Sequence, residues 1–136
     1  MAKATKQSIL KTGFSYPVSL LRPINDFLRF QLKRLERNKK HLTEEDPFSN
    51  IDRLSDNAAP DADAEEQFGH ARATALRRQI ERNIIQTRRA LARVKIGKYG
   101  ICEKCGNMID TDRLIIFPET TVCVKCKKKK EIKRRK

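Results

Sequence analysis

Tryptophan is absent from this 136-residue sequence, and it has only two tyrosines and six phenylalanines. With hydrophobic residues at 38% and charged residues at 35%, side chains to fill a wide core are scarce. That balance argues against a compact sphere and fits long, exposed helices. No apolar run approaches the ~18 residues of a membrane span, so no span is expected. The opening stretch MAKATKQSILKTGFSYP lacks the apolar centre of a secretory signal, and a cytoplasmic location is expected. There is no Gly-rich phosphate loop and no Ser-His-Asp or Cys-His arrangement, so the chain is not expected to be an enzyme. The two histidines, His41 and His70, read as surface or packing residues. No internal repeat is visible.

Acidic residues are also scarce, 17 against 31 basic ones, for a net charge of +14. Such an excess points to a polyanionic partner, either nucleic acid or a protein complex that handles it. Yet nine of the 17 acids crowd between Glu44 and Glu66, with Arg53 the one basic residue among them. That segment nets −8 and leaves the rest of the chain at +22. Two readings stand side by side. Asp61, or Asp63 with Glu66 three residues later, has the spacing of a helix cap. Capping does not account for Glu44, Glu45, Asp46, Asp52 and Asp56, which argues for a functional acidic segment.

The pattern becomes helical at Ile24, just after Pro23, which suits the first turn of a helix. Leu28, Leu35 and Leu42 recur every seven residues, with Ile24, Phe27, Phe30 and Leu32 filling in, on an otherwise basic helix ending near Glu44–Asp46 before Pro47. Turn formers occupy 46–61. A second helix is predicted from Ala62 to Ile96, with Ala73, Leu76, Ile80, Ile84, Thr87, Leu91 and Val94 on one face and Gly97 as its stop. Gln31, Asn38 and Asn83 interrupt the seam. One stripe on each of two helices joined by one loop predicts an antiparallel coiled-coil hairpin. The expected fold is therefore mainly α: an N-terminal arm over 1–23, a hairpin over 24–96 with an acidic tip near 46–66, a four-cysteine zinc finger over 97–127 and a basic tail over 128–136.

All four cysteines fall in the spacing Cys102-x2-Cys105-x17-Cys123-x2-Cys126. Each pair can offer two thiolates to one ion from a tight turn, and the spacer can bring the pairs together. Four thiolates make a closed tetrahedral site, so one structural Zn²⁺ is expected. Iron is the alternative ion for four thiolates. Disulfides and four independent buried cysteines are the competing readings, and the doubled C-x2-C disfavours both. Lys127–Lys136 carries eight basic residues in ten, either as a solvated tail or as a contact to phosphate.

The stretch ALARVKIGKYGICEKCGNMIDTDRLIIFPETTVCVKC, Ala90 to Cys126, resembles the DksA/TraR family of bacterial transcription factors. A long helix runs into YGIC-x-x-CG, then RL, then P-x-x-x-x-C-x-x-C. The upstream hairpin fits as well, so the likeness covers at least Ile24 to Lys127. It implies a protein that binds RNA polymerase directly, without a DNA site; a monomer with no membrane contact is expected. It implies that the coiled coil enters the secondary channel and that its acidic tip alters promoter-complex stability, with the alarmone ppGpp as a further ligand at the polymerase interface. The family's tip string D-x-x-D-x-A is not present here. Asp56, Asp61 and Asp63 are the candidates for the working carboxylate. Two other functions compete: a nucleic-acid-binding zinc module, and a Gre-like factor that stimulates transcript cleavage by the polymerase.

Overall fold

The computed structural model describes residues 16–46 and 60–135, with the backbone alone for residues 60–63. Helix α1 spans Val18–Glu44, α2 Pro60–Lys95, α3 Thr111–Ile116 and α4 Val124–Arg134. The fold is mainly α, an antiparallel two-helix hairpin followed by a small four-cysteine module. Among the described residues, no helix is long and apolar enough to cross a membrane.

Helix α1 begins six residues earlier than the sequence pattern indicates, so residues 18–23 belong to it and not to an arm. Its first turn is closed by the Pro17 carbonyl, which accepts from the Leu20 and Leu21 N–H groups at 3.0 and 3.2 Å. Pro23 therefore sits in the second turn. It has no N–H for the Ser19 carbonyl, but both residues are exposed and water can serve that carbonyl. In exchange, Leu21 and Ile24 pack against the core.

The described residues form two compact units. One comprises 16–29 and 86–135, the other 30–46 and 60–85. The expected hairpin domain over 24–96 is thus divided between them. In the first unit Leu28, Ala90, Tyr99, Cys102, Ile109 and Leu114 form one buried cluster. Thr87 and Ala90 are fully buried; their small side chains let other groups pack close to α2. The α2 terminus is a Schellman motif: Lys98 N–H donates to Arg93 O at 2.9 Å and Gly97 N–H to Val94 O at 3.2 Å, with Gly97 at φ 72°. Gly100, at φ 80°, lies under the Tyr16 ring, where any β-carbon would overlap it.

In the second unit the two helices run antiparallel. Lys39 Nζ meets Glu81 Oε1 at 2.9 Å, and Asp46 meets residues 70 and 77. Leu32, Leu35, Leu42, Ala73 and Ile80 are half-buried and Ile84 is buried. Three expected seam residues, Phe27, Phe30 and Leu76, are instead exposed. On α2 the buried face passes through Arg77 in place of Leu76; both positions suit the helical period, and Arg77 is turned inward to the Asp46 carboxylate.

Candidate metal centre

A short knuckle presents the first cysteine pair. Ile101 and Met108 form an isolated antiparallel bridge, and Cys102 N–H donates to Asn107 O at 2.8 Å. Gly106 closes the turn at φ 72°, its N–H on Cys102 O at 3.0 Å. The second pair sits at the start of α4. Cys123 is its N-cap residue and Cys126 lies in its first turn, where the helix dipole favours negative sulfur. Glu103 N–H donates to Thr121 O at 2.9 Å, joining the two halves.

The four sulfur atoms all lie within 4.8 Å of one another. Cys105 Sγ and Cys123 Sγ are 3.7 Å apart, close to the about 3.8 Å edge of a tetrahedron with metal–sulfur bonds of about 2.3 Å. None of the four forms a disulfide. Burial pushes the Cys102 thiol up, but backbone N–H groups of Cys123, Cys105 and Lys104 outweigh it and bring it down to about 6. The Cys123 and Lys104 N–H groups stand 3.3 and 3.4 Å from its sulfur. Cys126 is pushed up to about 12, first by its hydrogen bond with Cys123 and then by burial. A divalent ion held by the four sulfurs would keep them all as thiolates. The donor set and spacing fit one metal ion, and four thiolates leave it no open position for substrate or water.

Gln86 and Arg93 of α2, and Tyr99 just beyond its end, brace this module. Gln86 donates to Glu119 O at 3.0 Å and to Thr121 Oγ1 at 3.1 Å. Arg93 donates to Ile101 O at 2.8 Å and lies 3.9 Å from the Glu103 carboxylate. Tyr99 OH donates to Pro118 O at 2.9 Å. Residues 86, 90 and 93 share one helical face, so polar groups flanking the small Ala90 were the available signal.

The acidic segment divides. Asp56 lies outside the described residues, as does most of the predicted tip. Asp61 and Asp63 lie within α2, whose first residue is Pro60, so neither precedes the helix as an N-cap would. Negative charge is still favoured so close to a helix start. Asp46 was grouped with the tip, but it is only 6% exposed. Its carboxylate lies 3.0 and 3.1 Å from His70 Nδ1 and accepts from Arg77 Nη2 at 3.2 Å. It is a joint between α1 and α2, and His70 is a packing residue with a specific acidic partner.

Comparison with known proteins agrees with this geometry. Residues 97–131 match the prokaryotic dksA/traR C4-type zinc finger. An uncharacterized protein of Aquifex aeolicus is 49% identical over 37 residues, which is 27% of this chain and 26% of that relative. The chain therefore aligns with only about a quarter of the relative's length. Among solved structures, transcription factor DksA2 from Pseudomonas aeruginosa superposes with a TM-score of 0.68 over 87% of this chain and 88% of that one, at 22% identity. The fold is thus that of DksA2, and the finger is a C4 zinc finger whose four cysteines are positioned to hold one structural Zn²⁺.

Proposed function

We propose that the protein is a bacterial transcription regulator that binds RNA polymerase and acts through the acidic connection of its helical hairpin. The observation that carries this reading is the acidic segment itself: nine acids within 44–66, running from the end of α1 through the connection into the start of α2, on a chain that shares the DksA2 fold. A segment of net charge −8 is unsuited to DNA. It suits the secondary channel of the polymerase, where carboxylates can pair with basic side chains or approach metal-bound water under weak screening. Asp56, Asp61 and Asp63 are the candidate working groups, while Asp46 is occupied in the joint. The zinc finger is structural and the chain itself catalyses nothing. Recruitment needs no DNA sequence, and ppGpp is a candidate co-ligand at the polymerase interface. An apolar groove of about 440 Å³, lined among others by Tyr16, Ile24, Phe27, Leu114 and Ile115, supports a protein partner.

Purified RNA polymerase should be retained by the wild-type chain and equally by an Asp56→Asn/Asp61→Asn/Asp63→Asn variant. Only the wild type should change the lifetime of competitor-challenged promoter complexes. A variant that shifts the lifetime as the wild type does would remove the acidic segment from the mechanism. Failure of the wild type to retain polymerase would remove the partner. Transcript cleavage in stalled complexes would indicate a Gre-like role instead.

A further inference from the structure

The basic C-terminal stretch is not a frayed tail: it forms α4, Val124–Arg134. Along its 11 residues stand six lysines and Arg134 against one acid, Glu131. Every residue of α4 except Cys126 is exposed, and no ion pair involves the helix among the described residues. Like charges face each other at 125/129, 129/133 and 130/134, spacings at which they disfavour a helix in water. The N-terminal turn is nonetheless pinned, because Cys123 and Cys126 both belong to the thiol cluster. Glu131, at i+4 from Lys127, offsets part of this repulsion; the protein still presents a cationic rod on a fixed base.

We infer that α4 is a sequence-independent contact for the phosphate backbone of a nucleic-acid duplex. The helix is about 16 Å long at 1.5 Å per residue. Each strand of B-DNA carries one charge per about 3.4 Å of axis, so a helix of this length spans about four to five phosphates of one strand. Lysines dominate over arginine, which fits point-charge neutralisation better than the bidentate recognition for which arginine is the better residue. A lipid surface is a poorer match. Val124 and Ile132 are the helix's apolar side chains, and Lys128 stands between them at i+4 from the first, so there is no apolar face to insert. Because the contact reads phosphate alone, it adds to recruitment by a protein partner without requiring a DNA site. It can be tested with no polymerase present, so its failure is separate from failure of that reading.

The test is fluorescence anisotropy of a labelled random-sequence 20-bp duplex with the zinc-loaded full chain between 50 and 200 mM KCl. Three to four phosphate contacts give a slope of log K against log[salt] of about −3 to −4, or roughly a hundredfold loss across that range. Lys127→Gln/Lys128→Gln/Lys129→Gln/Lys130→Gln should flatten the slope by about two or more. Arg22→Gln/Arg29→Gln/Lys33→Gln/Arg37→Gln on α1 removes as much charge and should leave it nearly unchanged. Should the quadruple α4 variant lose zinc, Lys130→Gln/Lys133→Gln, farther from Cys126, decides with a flattening of about half. Equal losses from the α1 and α4 variants would overturn the inference, since binding would then follow net charge. So would binding to phosphatidylserine–phosphatidylcholine vesicles that persists at a salt concentration abolishing duplex binding.

Discussion

The unit around the thiols and the unit formed by residues 30–46 and 60–85 are built on the same two helices, but different chemistry holds each. Among the described residues, the first buries six of the seven hydrophobic core residues and gathers four sulfurs that can close on one ion. The second buries Ile84 and Asp46, and its cross-helix contacts include Lys39–Glu81 and the Asp46 joint. A long helix can therefore change its mode of attachment along its length. Where small residues allow close packing, the seam is apolar. Where charged side chains line the seam, it is a polar zipper around half-buried leucines. The consequence is an uneven distribution of stability, and each expectation below tests that contrast.

Metal removal should have the largest effect. Structural zinc contributes about 10–16 kcal/mol of apparent binding energy in small fingers, far above any single contact in the second unit. Chelation, or Cys123→Ser, should accelerate amide exchange across 86–135 more than across 60–85. Both tyrosines, Tyr16 and Tyr99, belong to the first unit with ring centroids 6.2 Å apart, so tyrosine fluorescence reports that unit alone. It should change on chelation while much of the helical circular dichroism signal persists. Uniform loss of both signals would show that the two units unfold as one.

Truncating one leucine in each unit comes next. Leu28 is fully buried, and Leu28→Ala should cost about 2–5 kcal/mol. Leu35 is half-buried, so Leu35→Ala removes less surface from contact and should cost about half as much. Denaturant melts that rank Leu35 above Leu28 would reverse the comparison. Asp46→Ala should cost less again, about 1–2 kcal/mol. It leaves Arg77 and His70 facing a site built for a carboxylate, but both are partly exposed, and water compensates some of the loss. Asp46→Asn should recover part of it, since an amide oxygen can still accept from Arg77.

The sequence made the helices and the finger legible because both depend on local spacing. Period and a Gly stop define α2, and the doubled C-x2-C with 17 residues between defines the cysteine cluster. What stayed hidden depends on direction and on partners distant in sequence. Leu76 and Arg77 are neighbours, and hydrophobicity favours the first. Asp46 recruits the second from 31 residues away, and the face turns with it. Asp46 itself looked like one more acid in an acidic stretch, since nothing in composition separates a buried carboxylate from a solvated one. The start of α1 was missed because Pro23 suggests a first turn, whereas exposure of Ser19 and Pro23 makes a second-turn proline tolerable. The basic tail was ambiguous for a different reason: most of its i,i+4 pairs are repulsive and oppose a helix, while the cysteines anchored at its start favour one.

The smallest expected effect sharpens the contrast through its pH dependence. Lys39 Nζ lies 2.9 Å from Glu81 Oε1. This hydrogen bond, and then the charge of Lys39, hold the Glu81 carboxyl below its ordinary value. A group whose folded pKa is depressed contributes stability above its unfolded pKa, about 4.3 for glutamate. That contribution fades as pH falls through the lower folded value. Glu81→Gln should therefore lower Tm slightly at pH 6–7, and the difference from wild type should close as pH is taken below about 4. The pair is solvent-exposed and screened, so raising KCl to 1 M at pH 7 should shrink the same difference. Lys39→Gln should show both trends, and the double variant should differ little from either single one. Thermal melts across pH and salt check all of this. A deficit that persists at pH 3 and in 1 M salt would mean that Glu81 supports the seam by packing and not by charge, and the polar-zipper description of that unit would no longer hold.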